Sequence, residues 1–434
     1  MVREIISLHI GGCGTTTGLA CWEQYALEEG ISPDSSITEK NRLNENFETF
    51  YDETADKSVP RAIFMDTDRD SMDEAMCQQV VSTVDKQSFV VQSIDSDIII
   101  HERSKVMEPY LEQIRIQSEK SSSLQGFWLH LGADGTTSRL ISKAVLDHFS
   151  DNYIKSSKSV CCILPSSINR IDINQCTNAL STWIKAIDAS ETVMIYQNAA
   201  ISRNYRHTLC RMNPTMRDLN MMIAQSQAYL TMTMRLYDSG NMFEDMASLT
   251  TTLVSYPKIN SLDACVGPMT PLWGPTDRLP PCESIKQLPG LTMMEYSAGY
   301  KDLKYMATAL LYRGHVVPKE VGQTTICNIK RRVRYVDWCP TSFKCSLSYT
   351  APSLPPWSRV QVEQLGVGFI SNNTGPGYTL SDLVRRYEAT SKNDMQTIDL
   401  DIEDCLASAK DTCRDYVELA MGVDYHGASF HLLG

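Results

Sequence analysis

Two glycine-containing runs in the first third of the chain have the composition of phosphate-binding loops. They cover residues 11–18 (GGCGTTTG) and residues 132–138 (GADGTTS). Glycine lets a phosphate approach the backbone closely, and the N–H groups at the start of a helix attract anions. Neither run is a P-loop or a G-x-G-x-x-G fingerprint. Each run is therefore either a phosphate cradle or a plain turn, and Asp134 in the second would also suit an Asx turn that caps a helix.

Two carboxylates spaced two residues apart form a candidate metal site. Asp66 and Asp68 follow the apolar residues 62–65, which have the character of a strand. Carboxylates at the end of a strand can hold Mg²⁺ directly or through water. The alternative is an ordinary solvated turn.

The sequence gives no support to several other chemistries. None of the eight histidines pairs with another at i, i+4, and the fourteen cysteines contain no C-x-x-C spacing, so a zinc site is not indicated. There is no Gly-x-Ser-x-Gly elbow for hydrolase chemistry. We expect the cysteines to be reduced thiols of a cytosolic protein.

Charge and hydropathy exclude two further classes of partner. The 434 residues carry a formal net charge of −12, which repels a nucleic-acid backbone. The dense basic patch, residues 330–332 with Arg334, is interpreted as a solvated helix end. No apolar run approaches the 18 residues of a membrane span, and Arg3 and Glu4 argue against a signal peptide. The composition predicts a globular protein of two or three domains.

The elements that must position these residues alternate between strands and helices. A strand at residues 5–10 precedes the first glycine run, and a helix with Gly30 at its C-cap follows it. A strand at 124–130 precedes the second run, and a helix extends to about Tyr153. Further strands are predicted at 159–164 and 192–196. This alternation predicts an α/β fold with a mostly parallel sheet.

The rest of the chain changes character. Five prolines between Pro268 and Pro281 predict a long irregular loop. Strands are predicted at 304–312 and 334–338, around a helix that begins near Pro318. Helical spacing returns in the last sixty residues. We expect a smaller α+β domain and then a helical end.

Several stretches, in this order, resemble the α-tubulin family. They are residues 3–11 (REIISLHIG) with 20–23 (ACWE), 59–62 (VPRA), 124–127 (LQGF), and the two most specific ones, 310–319 (LLYRGHVVPK) and 336–344 (VDWCPTSFK). The tryptophan-cysteine-proline version and the long segment 353–369 are similar to α rather than β subunits. The resemblance covers nearly the whole chain and is weak at 70–107, at 265–300 and after Thr374.

This resemblance implies a fold and a role. The expected fold is a tubulin-like three-layer nucleotide-binding domain with a parallel sheet, a second α+β domain and a C-terminal helical hairpin. The domains would be residues 1–197 for GTP binding, 198–373 and 374–434. The implied cofactors are GTP and Mg²⁺, the implied partner is β-tubulin in a heterodimer and in the lattice, and the implied location is the cytoplasmic microtubule cytoskeleton. Binding to nucleic acid and insertion into a membrane are not expected.

The resemblance also assigns site residues by position. Asp66 and Asp68 would lie near Mg²⁺, and Asn198 and Asn220 would read the edge of the guanine. The full implied nucleotide set is Gly11, Gly12, Cys13, Gly14, Asp66, Asp68, Gly135, Thr136, Thr137, Asn178, Asn198, Met216 and Asn220.

Three of these contacts depart from the family pattern. Gly12 stands in place of a glutamine, and Met216 replaces the tyrosine that stacks on the base, so a planar surface is lost. The family's glycine-rich loop has become residues 132–138. Its Asp134 would place a carboxylate beside a triphosphate, which is unfavourable unless a metal ion or a turn of the side chain relieves it.

The largest departure concerns catalysis. Ser248 occupies the place of the glutamate with which the family's α subunit activates water in its partner's GTP site, and serine cannot supply that carboxylate. Glu244 lies one turn away, so no catalytic residue is assigned. The family's glutamate-rich tail is missing from the last residues, and the flanks of Lys40 differ from those of the family's acetylated lysine.

Three functions follow from this pattern. The first is a structural α-type subunit that does not stimulate its partner's hydrolysis. The second is a non-polymerising binding or regulatory module with a vestigial pocket, favoured by the changed second loop. A stand-alone GTPase is the third and the weakest because of Ser248.

Overall fold

The computed structural model describes most of the chain. The described residues are 3–32, 35–36, 46–54, 57–77, 84–92, 103–165, 172–209, 213–236, 245–271, 288, 291–296, 303–321, 333–338, 343–358, 360–391 and 400–421. Five expectations fall outside these ranges. They concern Lys40, Glu244, the prolines from Pro275 onward, the basic residues 330–332 and the residues after Met421.

Strands and helices alternate along the first half of the chain. The strands are β1 Glu4–Ile10, β2 Tyr51–Thr54, β3 Lys57–Pro60, β4 Ala62–Asp66, β5 Phe89–Val91, β6 Leu124–Gly132, β7 Ser157–Leu164, β8 Thr192–Gln197, β9 Ser261–Pro271, β10 Lys304–Gly314, β11 Arg334–Tyr335, β12 Phe343–Ser348 and β13 Val360–Asn373. The helices are α1 Gly11–Glu28, α2 Arg69–Met76, α3 Arg103–Lys120, α4 Thr136–Asn152, α5 Ile173–Ala189, α6 Asn198–Leu209, α7 Met216–Arg235, α8 Met246–Leu253, α9 Gly375–Ser391 and α10 Leu400–Met421.

One sheet runs through the described part of the molecule. Its order is β11-β10-β13-β9-β8-β7-β6-β1-β4-β5. Strand β12 lies off this path and also pairs with β10. All pairs from β5 to β9 are parallel, whereas β13 is antiparallel to both β9 and β10. The short β8–β9 contact joins Val193 to Ser261 and Met194 to Leu262. The predicted α/β class with a parallel sheet is confirmed.

Helices cover both faces of the parallel strands, which makes three layers. In β1 the side chain of Ile5 belongs to the core shared with α1, α2 and α7, while Ile6, Leu8 and Ile10 belong to the core shared with α3, α4, α5, α9 and α10. Strand β1 is buried along its whole length, including its polar residues Glu4, Ser7 and His9. Because β1, β4 and β6 are parallel neighbours, their carboxyl ends meet at one edge of the sheet.

Helix α1 lies unusually close to the sheet because of its glycines. A Cβ atom added to Gly18 would lie 2.1 Å from Nδ1 of His9, and one added to Gly14 would lie 2.5 Å from the carbonyl oxygen of His130. The two buried histidine rings stack at 4.9 Å between their centres. Burial lowers the pKa of His130 to about 3, so the ring is neutral and packs as part of the core.

Buried charges tie α1 to α7 and β10. Glu28, fully buried, accepts hydrogen bonds from Arg235 Nη2 at 2.7 Å and from Arg313 Nη1 at 2.5 Å. Its neighbour Glu29 accepts from Arg235 Nη1 at 3.1 Å. Burial alone would raise the pKa of Glu28, but Arg313 and Arg235 outweigh it, so the pKa lies below its usual value. Helix α1 is thereby held to the second half of the sheet.

The last two helices form the predicted hairpin. A Cβ atom on Gly377 would lie 2.6 Å from Cβ of Tyr416, and Lys410 pairs with Glu388 at 2.6 Å. The start of α9 therefore lies beside the end of α10, and the two helices are antiparallel. This agrees with the expectation of a C-terminal helical hairpin.

Two boundary predictions were wrong and two were confirmed. The first glycine run ends β1 and opens α1, as predicted, and Gly11 with φ of +72° turns the chain between the two elements. The predicted loop at Pro268 and Pro271 is instead the end of β9. The helix predicted to begin near Pro318 does begin at that residue, and the described part of it is Pro318–Glu320. The strand predicted at 334–338 ends at Tyr335.

Candidate nucleotide site

The first predicted phosphate contact is the start of α1. Its N-cap, Ile10, makes no side-chain hydrogen bond to the helix, and no acidic residue lies in the first turn. The N–H groups of Gly12, Cys13 and Gly14 therefore lie in an uncapped positive helix end. Such an end attracts anions.

The second predicted contact, the start of α4, lies beside the first. Gly135 is the N-cap of α4 and no side chain caps it, so the interpretation of Asp134 as an Asx cap is wrong. A Cβ atom on Gly11 would lie 3.1 Å from Cβ of Ser138. Strands β1 and β6 are neighbours, so their carboxyl ends bring both helix starts together. The arrangement gives one anion site two uncapped helix ends.

Asn178 from α5 orients the second loop. Its Nδ2 donates to Oγ1 of Thr136 and to the carbonyl oxygen of Asp134, both at 3.1 Å. These bonds tie α5 to Asp134 and to Thr136, the first residue of α4, while the Asp134 side chain is exposed. Asn178 thus holds the second glycine-containing run in place from α5.

The candidate metal residues meet the same edge. Oδ1 of Asp66, the last residue of β4, accepts the N–H groups of Thr67 at 2.7 Å and of Asp68 at 3.3 Å. Oδ2 of Asp66 lies 3.7 Å from the place a Cβ atom of Gly12 would take, and Oγ of Ser71 lies 3.4 Å from it. Burial raises the pKa of Asp66.

This geometry fits Mg²⁺ through one carboxylate. Asp66 keeps an oxygen turned toward the glycine turn, which suits a cation that retains several waters and takes one or two carboxylates. Oδ1 of Asp68 instead caps α2 by accepting the N–H of Asp70 at 3.2 Å. Within the described ranges, no group of three or more histidine, cysteine or acidic residues could hold a metal. Substrate phosphates would have to complete the coordination.

Cys13 is an inert thiol at this site. Burial, and then the nearby Asp134 carboxylate, raise the pKa of Cys13 to about 12. The thiolate is the nucleophile in cysteine chemistry, and this side chain does not form it at neutral pH. Cys13 therefore contributes its backbone N–H.

The predicted base contacts lie on α6 and α7. Asn198 is the first residue of α6, and its Oδ1 is buried without a hydrogen-bond partner. A buried orphan acceptor is costly unless a ligand donor satisfies it, and a guanine edge carries such donors. Met216 is the first residue of α7 and is 59% exposed, and Asn220 is half-buried one turn later.

The structure joins the phosphate-side residues more closely than the base-side ones. Contacts link Gly11 to α4, Gly12 to Asp66, and Asn178 to Thr136. No described side-chain hydrogen bond links Asn198, Met216 or Asn220 to that set. The sequence analysis included Ser138 in the second run but did not single out Ser71 and Gln197. Of these, Ser71 was detectable from its i, i+3 spacing after Asp68.

Comparisons with known proteins give matches along most of the chain. Residues 4–206 match the model of the Tubulin/FtsZ family, GTPase domain, and residues 289–414 match the Tubulin C-terminal domain. The tubulin alpha-2 chain of Eleusine indica is 31% identical over 402 residues, which is 89% of each chain. The chain belongs to the tubulin family. The tubulin alpha-1B chain of Physarum polycephalum is 29% identical over 398 residues, or 89% of this chain and 88% of that one, and the nucleomorph tubulin alpha chain of Guillardia theta is 28% identical over the same shares.

Because the chain belongs to the tubulin family, GTP together with Mg²⁺ is the ligand that its GTPase domain implies. The two uncapped helix ends, the Asp66 oxygen and the orphan Oδ1 of Asn198 fit it. When bound, the magnesium ion would supply charge neutralisation for the phosphates. The described residues include no helix that is both long and apolar enough to cross a membrane.

Ser248 of this tubulin-family chain is engaged in a helix cap. Its N–H donates to Oδ1 of Asp245 at 2.7 Å, and its Oγ accepts the Asp245 N–H at 3.2 Å and donates to the Asp245 carbonyl at 2.7 Å. Asp245 also pairs with Arg3. This capping box fixes the first turn of α8. The side chain thus serves the local helix.

Proposed function

We propose that this chain is a GTP-binding structural subunit of microtubules that pairs with β-tubulin in the cytoplasm. The similarity to α-tubulins over 89% of the chain supports this role. The uncapped starts of α1 and α4 and the orphan acceptor of Asn198 support a bound guanine nucleotide. The proposed domain limits stay at residues 197 and 373, although the sheet continues from β8 to β9.

The chain would not stimulate hydrolysis of its partner's GTP. The observation that carries this proposal is Ser248, whose hydroxyl and N–H are both used in the capping box with Asp245. A hydroxyl at neutral pH cannot act as the carboxylate base that activates water. Polymers that contain this chain would therefore keep GTP longer and resist disassembly.

The test compares phosphate release from three polymers. Ser248→Glu restores the acid and should fold, because glutamate suits the N3 position of a capping box. Thr251→Glu is the matched control, since Thr251 is exposed on the same helix. We expect Ser248→Glu to release phosphate at least about 100-fold faster, while the control stays at the wild-type rate. Wild-type polymers that hydrolyse GTP as fast as ordinary α/β polymers would contradict the proposal.

A second candidate is a non-polymerising module that binds β-tubulin. The observation in its favour is the exposed Asp134 carboxylate at the phosphate loop, together with Gly12, which brings no side chain toward Mg²⁺. A monomer that purifies without nucleotide and fails to enter polymers would establish this candidate instead.

A further inference from the structure

A short segment, residues 291–296, is hydrogen-bonded to the end of β8. We call this segment the strap. The N–H of Gln197 donates to the carbonyl oxygen of Met293 at 2.9 Å. In return Oε1 of Gln197 accepts the N–H of Glu295 at 2.5 Å. The Gln197 side chain is fully buried. These two bonds fix the residue that directly precedes the base contact Asn198.

The strap also holds the body of α6. Nδ2 of Asn204 donates to the carbonyl oxygen of Thr292 at 2.7 Å, and Arg203 pairs with Glu295 at 3.3 Å. The strap therefore fixes the helix that begins at Asn198 both before its first residue and near its second turn.

The opposite side of the strap is bound to the C-terminal hairpin. Oγ1 of Thr379, in the first turns of α9, donates to the carbonyl oxygen of Glu295 at 3.1 Å. The Met294 side chain is fully buried in the same core as Leu380 and Leu383 of α9. The N–H of Met293 donates to Ala264 of β9 at 3.1 Å. The backbone of one residue, Glu295, thus donates a hydrogen bond to Gln197 and accepts one from Thr379.

We propose that Gln197 is a positioning residue for Asn198. Through the strap, the strength with which the site binds the guanine base would then depend on contacts from α9. This inference rests on the proposed binding of GTP. The orphan Oδ1 of Asn198 can satisfy a base donor only if the start of α6 is held in register. Binding groups need such support to keep productive geometry. The supports here are Gln197, the strap and Thr379.

The test uses a variant that is remote from the nucleotide. Thr379→Val removes the bond to Glu295 with little change of shape, and Thr379→Ser keeps the hydroxyl. Thr390→Val is the matched control, because Oγ1 of Thr390 donates at 2.8 Å only within α9, to Arg386. Gln197→Met removes the acceptor at the other end of the chain of contacts. Thermal unfolding of each full-length variant shows that it is folded.

The readout separates the base from the phosphates. Release of radiolabelled GTP is followed for each full-length protein, together with binding of inorganic tripolyphosphate, which has no base. We expect Thr379→Val and Gln197→Met to release GTP about five-fold faster, as the loss of one hydrogen bond predicts. Thr379→Ser and Thr390→Val should match wild type, and tripolyphosphate should bind all variants equally.

Three results would overturn the inference. GTP release within twofold of wild type in both Thr379→Val and Gln197→Met would show that the strap does not position the base contact. An equal loss of tripolyphosphate binding would indicate general loosening of the site. Wild-type protein without bound GTP would refute the proposed function, and this inference with it.

Discussion

Replacing Glu28 by glutamine tests whether the buried charges hold the two halves of the sheet together. Glu28 on α1 is fully buried and contacts two equally buried guanidinium groups, Arg235 of α7 and Arg313 of β10. Glu28→Gln keeps the shape and one oxygen acceptor but removes the charge. Both arginines then stay buried, and Glu29 remains as the carboxylate that pairs with Arg235.

The size of the effect follows from burial. Removing one partner of a buried ion pair costs about 3–5 kcal/mol, because the remaining charge is left uncompensated. We expect the lower end of this range, since the glutamine oxygen still accepts one hydrogen bond. A loss of about 3 kcal/mol is a large part of the 5–15 kcal/mol that is typical of a folded protein. The variant should therefore unfold at clearly lower urea concentration.

Equilibrium unfolding in urea measures this loss, and Glu112→Gln provides the control. Glu112 also accepts two bonds from an arginine, Arg115 at 2.9 and 2.6 Å, but its side chain is 49% exposed. Exposed pairs contribute little because water and salt screen them. Equal, small losses in the two variants would refute the reasoning that burial makes the Glu28 cluster critical.

Three further predictions concern packing, pH and the base. Gly18→Ala should lower the free energy of unfolding by about 1–3 kcal/mol, because the new Cβ atom would lie 2.1 Å from His9 Nδ1. Thermal unfolding measures this loss, and an unchanged midpoint would contradict the prediction. Burial raises the pKa of Asp263 to about 7, from about 3.9 in the unfolded chain, so the folded state binds the proton more tightly. The contribution of this carboxyl to the free energy of unfolding therefore falls as pH rises from about 4 through 7. Asp263→Asn should flatten that part of the urea-measured pH profile, and parallel profiles would count against the assignment. Met216→Tyr should slow GTP release about five-fold by restoring a stacking ring, and release at the wild-type rate would show that this position does not face the base.

The sequence predicted the parallel half of the fold well, because local signals there agree. Residues 5–10 and 124–130 are mostly apolar and lie just before a glycine, and both belong to strands that a helix follows within four residues. The contact between Gly11 and Ser138 was not predictable, since it depends on the pairing of β1 with β6 across more than a hundred residues.

Prolines misled the prediction for β9 for a physical reason. Pro268 lies where the register between β9 and β13 shifts, between the pairs Gly267–Val367 and Met269–Val362, and Pro271 is the last residue of the strand. At these positions the ladder needs no N–H, so proline is tolerated. Such an irregularity belongs to the partner strand and cannot be read from residues 268–271 alone.

The candidate site divides in the same way. Asp66 became a candidate because a carboxylate at the end of a strand is a local pattern, whereas Asn198 was assigned only through the resemblance to the family. The role proposed for Gln197 could not be predicted from the sequence, because it depends on the strap, about a hundred residues later in the chain. The capping role of Ser248 was open to prediction from the spacing of Asp245 and Ser248, which matches a capping box.

The most direct test of the central claim is a native mass spectrum of the protein purified from its own cells. We predict a heterodimer in which this chain carries one GTP that stays bound through purification. A bare monomer without nucleotide would contradict the account of a structural GTP-binding subunit.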